Sequence, residues 1–484
     1  MKYRSNVIVK SLSYKFIEQL LTKGTSLVIS IVLARLLDVE SFGVLAILTV
    51  FTSLCSAIIE SGLSTSLIQK KDVDDKDYST VFYISSILAI LLYAVIFLAA
   101  PWIASIYEMP MLTMYLRVIG IVLFTTPFNA TQLGYVYRNM MFRQLLISTV
   151  IASLASGLLG IVLAVRGFGV WALIVQTLSN AIVSVLTLFV QIPWRPRKYF
   201  SINRLKQHWK YGWKLLVSSI VDTLYVDIQA LVIGKKYSDT DLAYYNRGET
   251  YPKTIMTSLN SAVQSVMLPV LSAEQSDTSA IKGIMRKSVS ISSFVLFPIM
   301  AGFAGIADSF VSIVLTDKWL PCVPFLQLAC ITYAVRPVNS CNLQAIKAIG
   351  RSDIFLKLTL IKKFIGIGII FITAFCFNTP LAIAIGVAVF SPIELIINAF
   401  PNRKLVGYSL VEQVKDIALP AVFSMIMFGI VSLIGGMIGN VWMRLCIQMV
   451  VGIIVYITLS ASFRVRALKD IWEKIRHILK KNVE

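Results

Sequence analysis

The polar side chains of this sequence that could do chemistry lie inside runs of apolar residues. Glu18, Gln19, Thr22, Lys23 and Ser26 interrupt the first run, and Ser53, Ser56, Glu60 and Ser64 the second. Ser219, Asp222, Asp227 and Gln229 fall in a later run, and Glu249, Lys253, Thr257, Asn260 and Gln264 in the one after it. Spacing of three and four residues puts the second and fourth sets each in one stripe along a helix face. Ionisable groups at membrane depth are costly and point to function, so these stripes suit the wall of a hydrated cavity. A plainer reading stands beside it: Glu249 and Lys253 are an i,i+4 pair able to neutralise itself, and Lys253 can reach the outer surface. Arg117 and Arg336 lie in two further runs, facing inward or paired with Glu60 or Glu394. Only two histidines exist, His208 and His477, and HExxH, GxxxxGKS/T and GxSxG are all missing. Zinc-peptidase, nucleotide-driven and serine-hydrolase chemistry therefore have no residues to run on.

The elements that must position these residues are membrane helices. The chain has 57% hydrophobic residues, 14% charged residues and a net charge of +20, too few charges to cover a soluble surface of this length. Apolar runs and their breakers predict fourteen helices over 14–37, 42–69, 78–100, 112–136, 144–165, 168–192, 211–236, 244–271, 285–315, 321–349, 353–377, 379–402, 417–438 and 440–461. With a cytoplasmic N-terminus, the cytoplasmic segments carry 32 of the 45 Lys and Arg residues and the outer ones eight. That bias supports an even number of spans with both termini cytoplasmic. Basic residues spread over turns facing anionic headgroups argue for membrane lipids as partners, and against nucleic acid. The six cysteines show no CxxC or metal-ligand spacing, so they read as packing residues and no metal is expected.

One phrase occurs twice. "TTPFNATQL" (125–133) and "VRPVNSCNL" (335–343), at a shift of 210, pair Pro127 with Pro337, Asn129 with Asn339 and Leu133 with Leu343. The copies fall late in the fourth and tenth predicted helices, with Ala130 and Gln132 opposite Ser340 and Asn342. A fainter echo sets "ARLLDVESFG" (34–43) against "GKKYSDTDLA" (234–243). The expected architecture is all-α, with two pseudo-symmetric six-helix lobes (1–192 and 211–405) joined by a basic cytoplasmic linker (193–210). Two extra spans (406–462) and a basic amphipathic cytoplasmic tail (463–484) follow. Lobes of six helices share one orientation, so their pseudo-two-fold axis runs along the membrane normal, as in transporters. The prolines should act as kinks, with Asn129 and Asn339 supporting the bend rather than touching cargo.

"LARLLDVESFGVLAI", "ALVIGKKYSDTDLAYYNRGETYPK", "IPWRPR" and "SVMLPVLSAEQSD" resemble polysaccharide exporters of the multidrug/oligosaccharidyl-lipid/polysaccharide (MOP) superfamily. The last two resemble its Wzx-type branch, which includes colanic acid and lipopolysaccharide exporters. The resemblance covers about 14–460, and Ala243 departs from it where Gly43 stands in the first half. It implies a flippase of the bacterial cytoplasmic membrane that moves an undecaprenyl-pyrophosphate-linked oligosaccharide to the outer leaflet by alternating access. Lys23, Lys253, Arg117 and Arg336 would then hold the pyrophosphate. Polar residues along helices two and eight, including Glu60, Asn260 and Gln264, would line the sugar site. Glu60, Asp222 and Asp227 would carry a coupling proton or sodium ion, and no cofactor is implied. The expected state is a monomer, with the polysaccharide polymerase machinery as a candidate associate. Alternatives are a cation-coupled multidrug exporter, an exporter of lipid II or teichoic-type precursors and, from another class, a membrane glycosyltransferase or polymerase. The short outer connections leave that last reading no aqueous catalytic loop, so an enzyme is not expected.

Overall fold

The computed structural model describes residues 2–469 apart from 61, 71–72, 275–276 and 466. Among the described residues the chain is built of helices, with no strand. The first six spans are α1 (Lys2–Leu36), α2 (Val39–Glu60) continued by α3 (Leu63–Gln69), α4 (Asp75–Ile106), α5 (Leu112–Ile119) continued by α6 (Thr126–Arg138), α7 (Phe142–Val165) and α8 (Val170–Gln191). Then come α9 (Ile202–Lys236), α10 (Asp239–Ala273), α11 (Thr278–Gly305), the short α12 (Ala307–Val314) and α13 (Val323–Ala334) continued by α14 (Arg336–Ala348). The last are α15 (Ser352–Cys376), α16 (Pro380–Ala399) with its extension α17 (Asn402–Val406), α18 (Leu410–Met437) and α19 (Val441–Ser462).

Among the described residues, thirteen spans are long and apolar enough to cross a membrane. α10 has 35 residues, ample length for a fourteenth, and its polar stripe keeps it below that apolarity. The count agrees with the sequence expectation. The first helix differs by starting at Lys2 rather than near residue 14. Of the expected tail helix, residues 466 and 470–484 lie outside the described residues, as does His477.

Local chemistry sets the boundaries. Asp74 and Asp77 form a capping box at the start of α4, and Ser409 and Glu412 form one at α18; each satisfies backbone N–H groups that the first turn leaves open. The repeated proline has a matching role in both copies. The fourth span breaks through a 3-10 turn, Gly120–Phe124, before α6, and the tenth breaks at Val335 before α14. Pro127 and Pro337 each stand in the first turn of the new helix, where the missing N–H costs nothing. The Asn129 amide bonds Thr125 O at 3.0 Å and the Asn339 amide bonds Val335 O at 3.2 Å, the same bond in each copy.

By its packing the chain divides into Met1–Ala243 and Tyr244–Glu484. The boundary falls inside α10, so α9 packs with the first unit. There two glycines of the second span allow close approach, Gly43 to the first residue of α10 and Gly62 to α9. A methyl group at Gly43 would lie 1.8 Å from the Asp239 carbonyl oxygen, and one at Gly62 would lie 2.0 Å from that of Gly212. Gly62 also has φ +80°, a conformation that disfavours other residues. In the second unit, Met267, Leu271, Met285, Val338, Cys341 and Tyr408 form a buried core between α10, α11 and α14.

Candidate functional site: polar side chains at membrane depth

In the first unit the polar stripe of the second span meets other helices. Ser53 Oγ donates to Asp227 on α9 at 2.7 Å. Asn129 of α6 donates to Glu60 at 3.3 Å, and Ser64 Oγ to the Ala130 carbonyl at 2.9 Å. The structure thus joins two of the three expected ion-coupling carboxylates to neighbouring helices, while Asp222 is exposed on α9. Lys23 is exposed on α1.

Arg117 departs from the expected carboxylate pairing. Its Nε donates to the Phe97 carbonyl at 3.3 Å, and its guanidinium lies 4.2 Å from the centre of the Phe97 ring. The α5 backbone is held to α4 by Tyr93 Oη donating to the Arg117 carbonyl at 3.2 Å, which brings the arginine over Phe97.

The most extensive ionic cluster in this unit was not anticipated from sequence. Asp77, with a side chain 1% exposed, faces Lys70 at 2.8 Å, Arg204 at 3.0 Å and His208 at 3.3 Å. His208 Nδ1 lies 2.8 Å from Ser66 Oγ, so α3, α4 and the start of α9 are tied together. Burial pushes the imidazole below its ordinary pKa, overriding the opposite pull of Asp77. The available signal was a lone histidine at helical spacing from Arg204, too common a pattern to single out.

In the second unit the α10 stripe packs partly on its neighbours. Glu249 accepts a hydrogen bond from Tyr333 of α13 and lies 3.8 Å from Lys253. Lys253 is 45% exposed, whereas Gln264 is pinned to α14 by Ser340 at 3.3 Å and Gln344 at 3.4 Å. Asn260 Oδ1 is buried with no protein partner. Arg336 lies 4.0 Å from Glu394, one of the two pairings expected for the arginines. Below it Asn339 bonds Asn398, and Asn342 bonds both Asn402 and Gln413. The regular signal for these partners, Glu394-x3-Asn398-x3-Asn402 in an apolar run, was present in the sequence and missed.

Ile255, on another face of α10, lines an apolar groove of about 490 Å³. Phe294, Pro298, Met427, Gly452 and Tyr456 complete its wall, so α11, α18 and α19 share it with α10. The second unit therefore places hydrogen-bonding groups and an oily trough on different faces of one helix.

The family model described as "Polysaccharide biosynthesis protein" matches residues 32–324. The chain belongs to this polysaccharide biosynthesis protein family. It is 25% identical over 414 residues to the lipopolysaccharide biosynthesis protein WzxC of Escherichia coli (strain K12), covering 83% of this chain and 82% of that one. It is also 24% identical over 313 residues to the teichuronic acid biosynthesis protein TuaB of Bacillus subtilis (strain 168), covering 63% of each. Among solved structures, the lipid II flippase MurJ in an inward closed conformation superposes with a TM-score of 0.75 at 17% identity, covering 94% of this chain and 98% of that one. An inward-facing multidrug resistance MATE family transporter of the MOP superfamily gives 0.56 at 17% identity, over 79% and 95%. This polysaccharide biosynthesis protein is thus a multi-pass membrane protein with the fold of the MOP superfamily transporters.

Proposed function

We propose that this polysaccharide biosynthesis protein is a flippase for an undecaprenyl-pyrophosphate-linked oligosaccharide, working by alternating access in the bacterial cytoplasmic membrane. The observation that carries the reading is the two-faced α10. Lys253 and the amides of its stripe suit a pyrophosphate and sugar hydroxyls, and the groove beside Ile255 suits a polyprenyl tail. The family membership and the relatives' roles in lipopolysaccharide and teichuronic acid biosynthesis support a polysaccharide precursor as the substrate. Lys23 remains a second candidate for the pyrophosphate and Arg117, held against Phe97, a weaker one. Glu60, Asp222 and Asp227 remain candidates for the coupling ion.

The test replaces Lys253, and separately Lys23, with alanine in cells and follows surface polysaccharide at matched protein levels. A charge-assisted hydrogen bond contributes about 1.5–3 kcal/mol, so export should fall roughly tenfold or more. Undiminished surface polysaccharide in both variants would overturn the charge-binding assignment.

A further inference from the structure

The second unit contains a polar ladder between α14 and the α16–α17 span, whose one member among the expected pyrophosphate residues is Arg336. Its rungs are Arg336–Glu394 at 4.0 Å, Asn339–Asn398 at 3.0 Å and Asn342–Asn402 at 2.8 Å. Successive rungs are one helical turn apart on both helices, so they form a file along the interface. The lowest rung is closed by Gln413 of α18 at 2.8 Å from Asn342. Apart from Arg336, these side chains are buried.

We propose that this file is a hydrated proton path, with Glu394 as the group that takes and releases the proton. Each rung leaves polar atoms without protein partners: Arg336 Nε, Asn339 Nδ2, Asn398 Oδ1 and Asn402 Oδ1. Orphaned donors and acceptors in a membrane interior are strongly unfavourable unless water meets them. Four of them in register call for a chain of bound water.

The internal repeat supplies the control. At the shift of 210, Glu394, Asn398 and Asn402 correspond to Ser184, Leu188 and Ile192. Leu188 and Ile192 are 0% and 1% exposed, so the α8 side of this interface is apolar in the first unit, while buried Gln132, opposite Asn342 in the repeat, reaches across to the Val185 carbonyl at 3.3 Å. The fold does not require amides at the positions of Asn398 and Asn402.

Arg336 on α14 and Lys362 on α15 lie within electrostatic reach of Glu394. Tyr333 on α13 is engaged with Glu249, and Glu412 and Asp416 on α18 are held by Lys282 and Arg286 of α11. In the transfer, the Glu394 carboxylate takes a proton from the adjacent water and becomes a neutral acid. That water is re-protonated by the next, and the last by a hydronium ion of the bulk at the α17 end. This goes beyond the proposed flippase function, and its test uses no glycan, so the two can fail separately.

The experiment is infrared difference spectroscopy on the purified full chain after a rapid drop in pH, following the carboxylic acid C=O band. Glu394→Gln should remove one component of that band. The double variant Asn339→Leu/Asn398→Leu deletes both partners of a rung, which leaves no new orphan and spares the fold. It should retain the component but slow its appearance by about tenfold or more. An undiminished band in Glu394→Gln, or wild-type kinetics in the double variant, would overturn the proposal. If Glu394→Gln fails to fold, the double variant decides alone.

Discussion

Replacing Gly43 with alanine is expected to destabilise the chain by about 3 kcal/mol and to abolish function, a large effect for one methyl group. The methyl carbon would fall 1.8 Å from the Asp239 carbonyl oxygen, 2.4 Å from its carbonyl carbon and 2.9 Å from its Cα. All three atoms are backbone, so no rotamer change relieves the overlap and the start of α10 must move away from α2. Ala243 stands at the matching position of the repeat and is only 1% exposed. Its methyl group is already accommodated there, so Ala243→Gly should cost no more than about 1 kcal/mol. Thermal melting of the detergent-purified variants checks both values. Equal stability of Gly43→Ala and wild type would show that the close α2–α10 approach is not maintained.

Asn342→Leu should be comparably damaging, for an electrostatic rather than a steric reason. Asn342 exchanges two hydrogen bonds with Gln413, at 2.8 and 3.0 Å, and accepts one from Asn402 at 2.8 Å. All three side chains are 0% exposed. Leucine would leave the Gln413 amide without either bond and weaken the hold on Asn402, a loss of about 3–5 kcal/mol. Removing the partner as well, in Asn342→Leu/Gln413→Leu, should recover about half of it. Melting temperatures of the single and double variants measure the difference. A double variant less stable than the single one would contradict the account of an amide cluster centred on Asn342.

The spans were legible because a lipid environment demands about twenty apolar residues per crossing, and little else in a sequence imitates that. The repeat was legible because Pro127 and Pro337 recur with Asn129 and Asn339 at one spacing, and each proline stands in the first turn of a new helix after a break. Partners were harder to read. Helical spacing shows which residues share a face, as with Glu249, Lys253 and Gln264, but not which helix that face meets. Gln264 turned out to be committed to Ser340 and Gln344 of α14, and Arg117 to Phe97. The Asp77–His208 cluster was illegible for the same reason: it joins residues 131 apart in the chain, and none is unusual alone. Asn129 and Asn339 show how far a repeat can mislead. They share a backbone role at the break, yet Asn129 turns to Glu60 of α2 and Asn339 to Asn398 of α16.

The division of labour on α10 also bears on specificity. A multidrug exporter would be expected to use a cavity dominated by carboxylates and aromatic rings. The α10 stripe instead pairs one carboxylate, Glu249, with one lysine and continues in hydroxyls and amides. Such a surface offers donors and acceptors in nearly equal measure, which matches a sugar better than a lipophilic cation.

The most direct measurement of the central claim is transfer of a lipid-linked oligosaccharide across a bilayer. Purified protein is placed in liposomes carrying an undecaprenyl-pyrophosphate-linked oligosaccharide, and a membrane-impermeant glycosidase reports how much of the glycan is exposed outside. With imposed ion gradients, the account predicts protein-dependent exposure of the protected half of the glycan, slowed by Lys253→Ala. Folded protein that leaves that half protected, while moving a lipophilic cation such as ethidium, would contradict it.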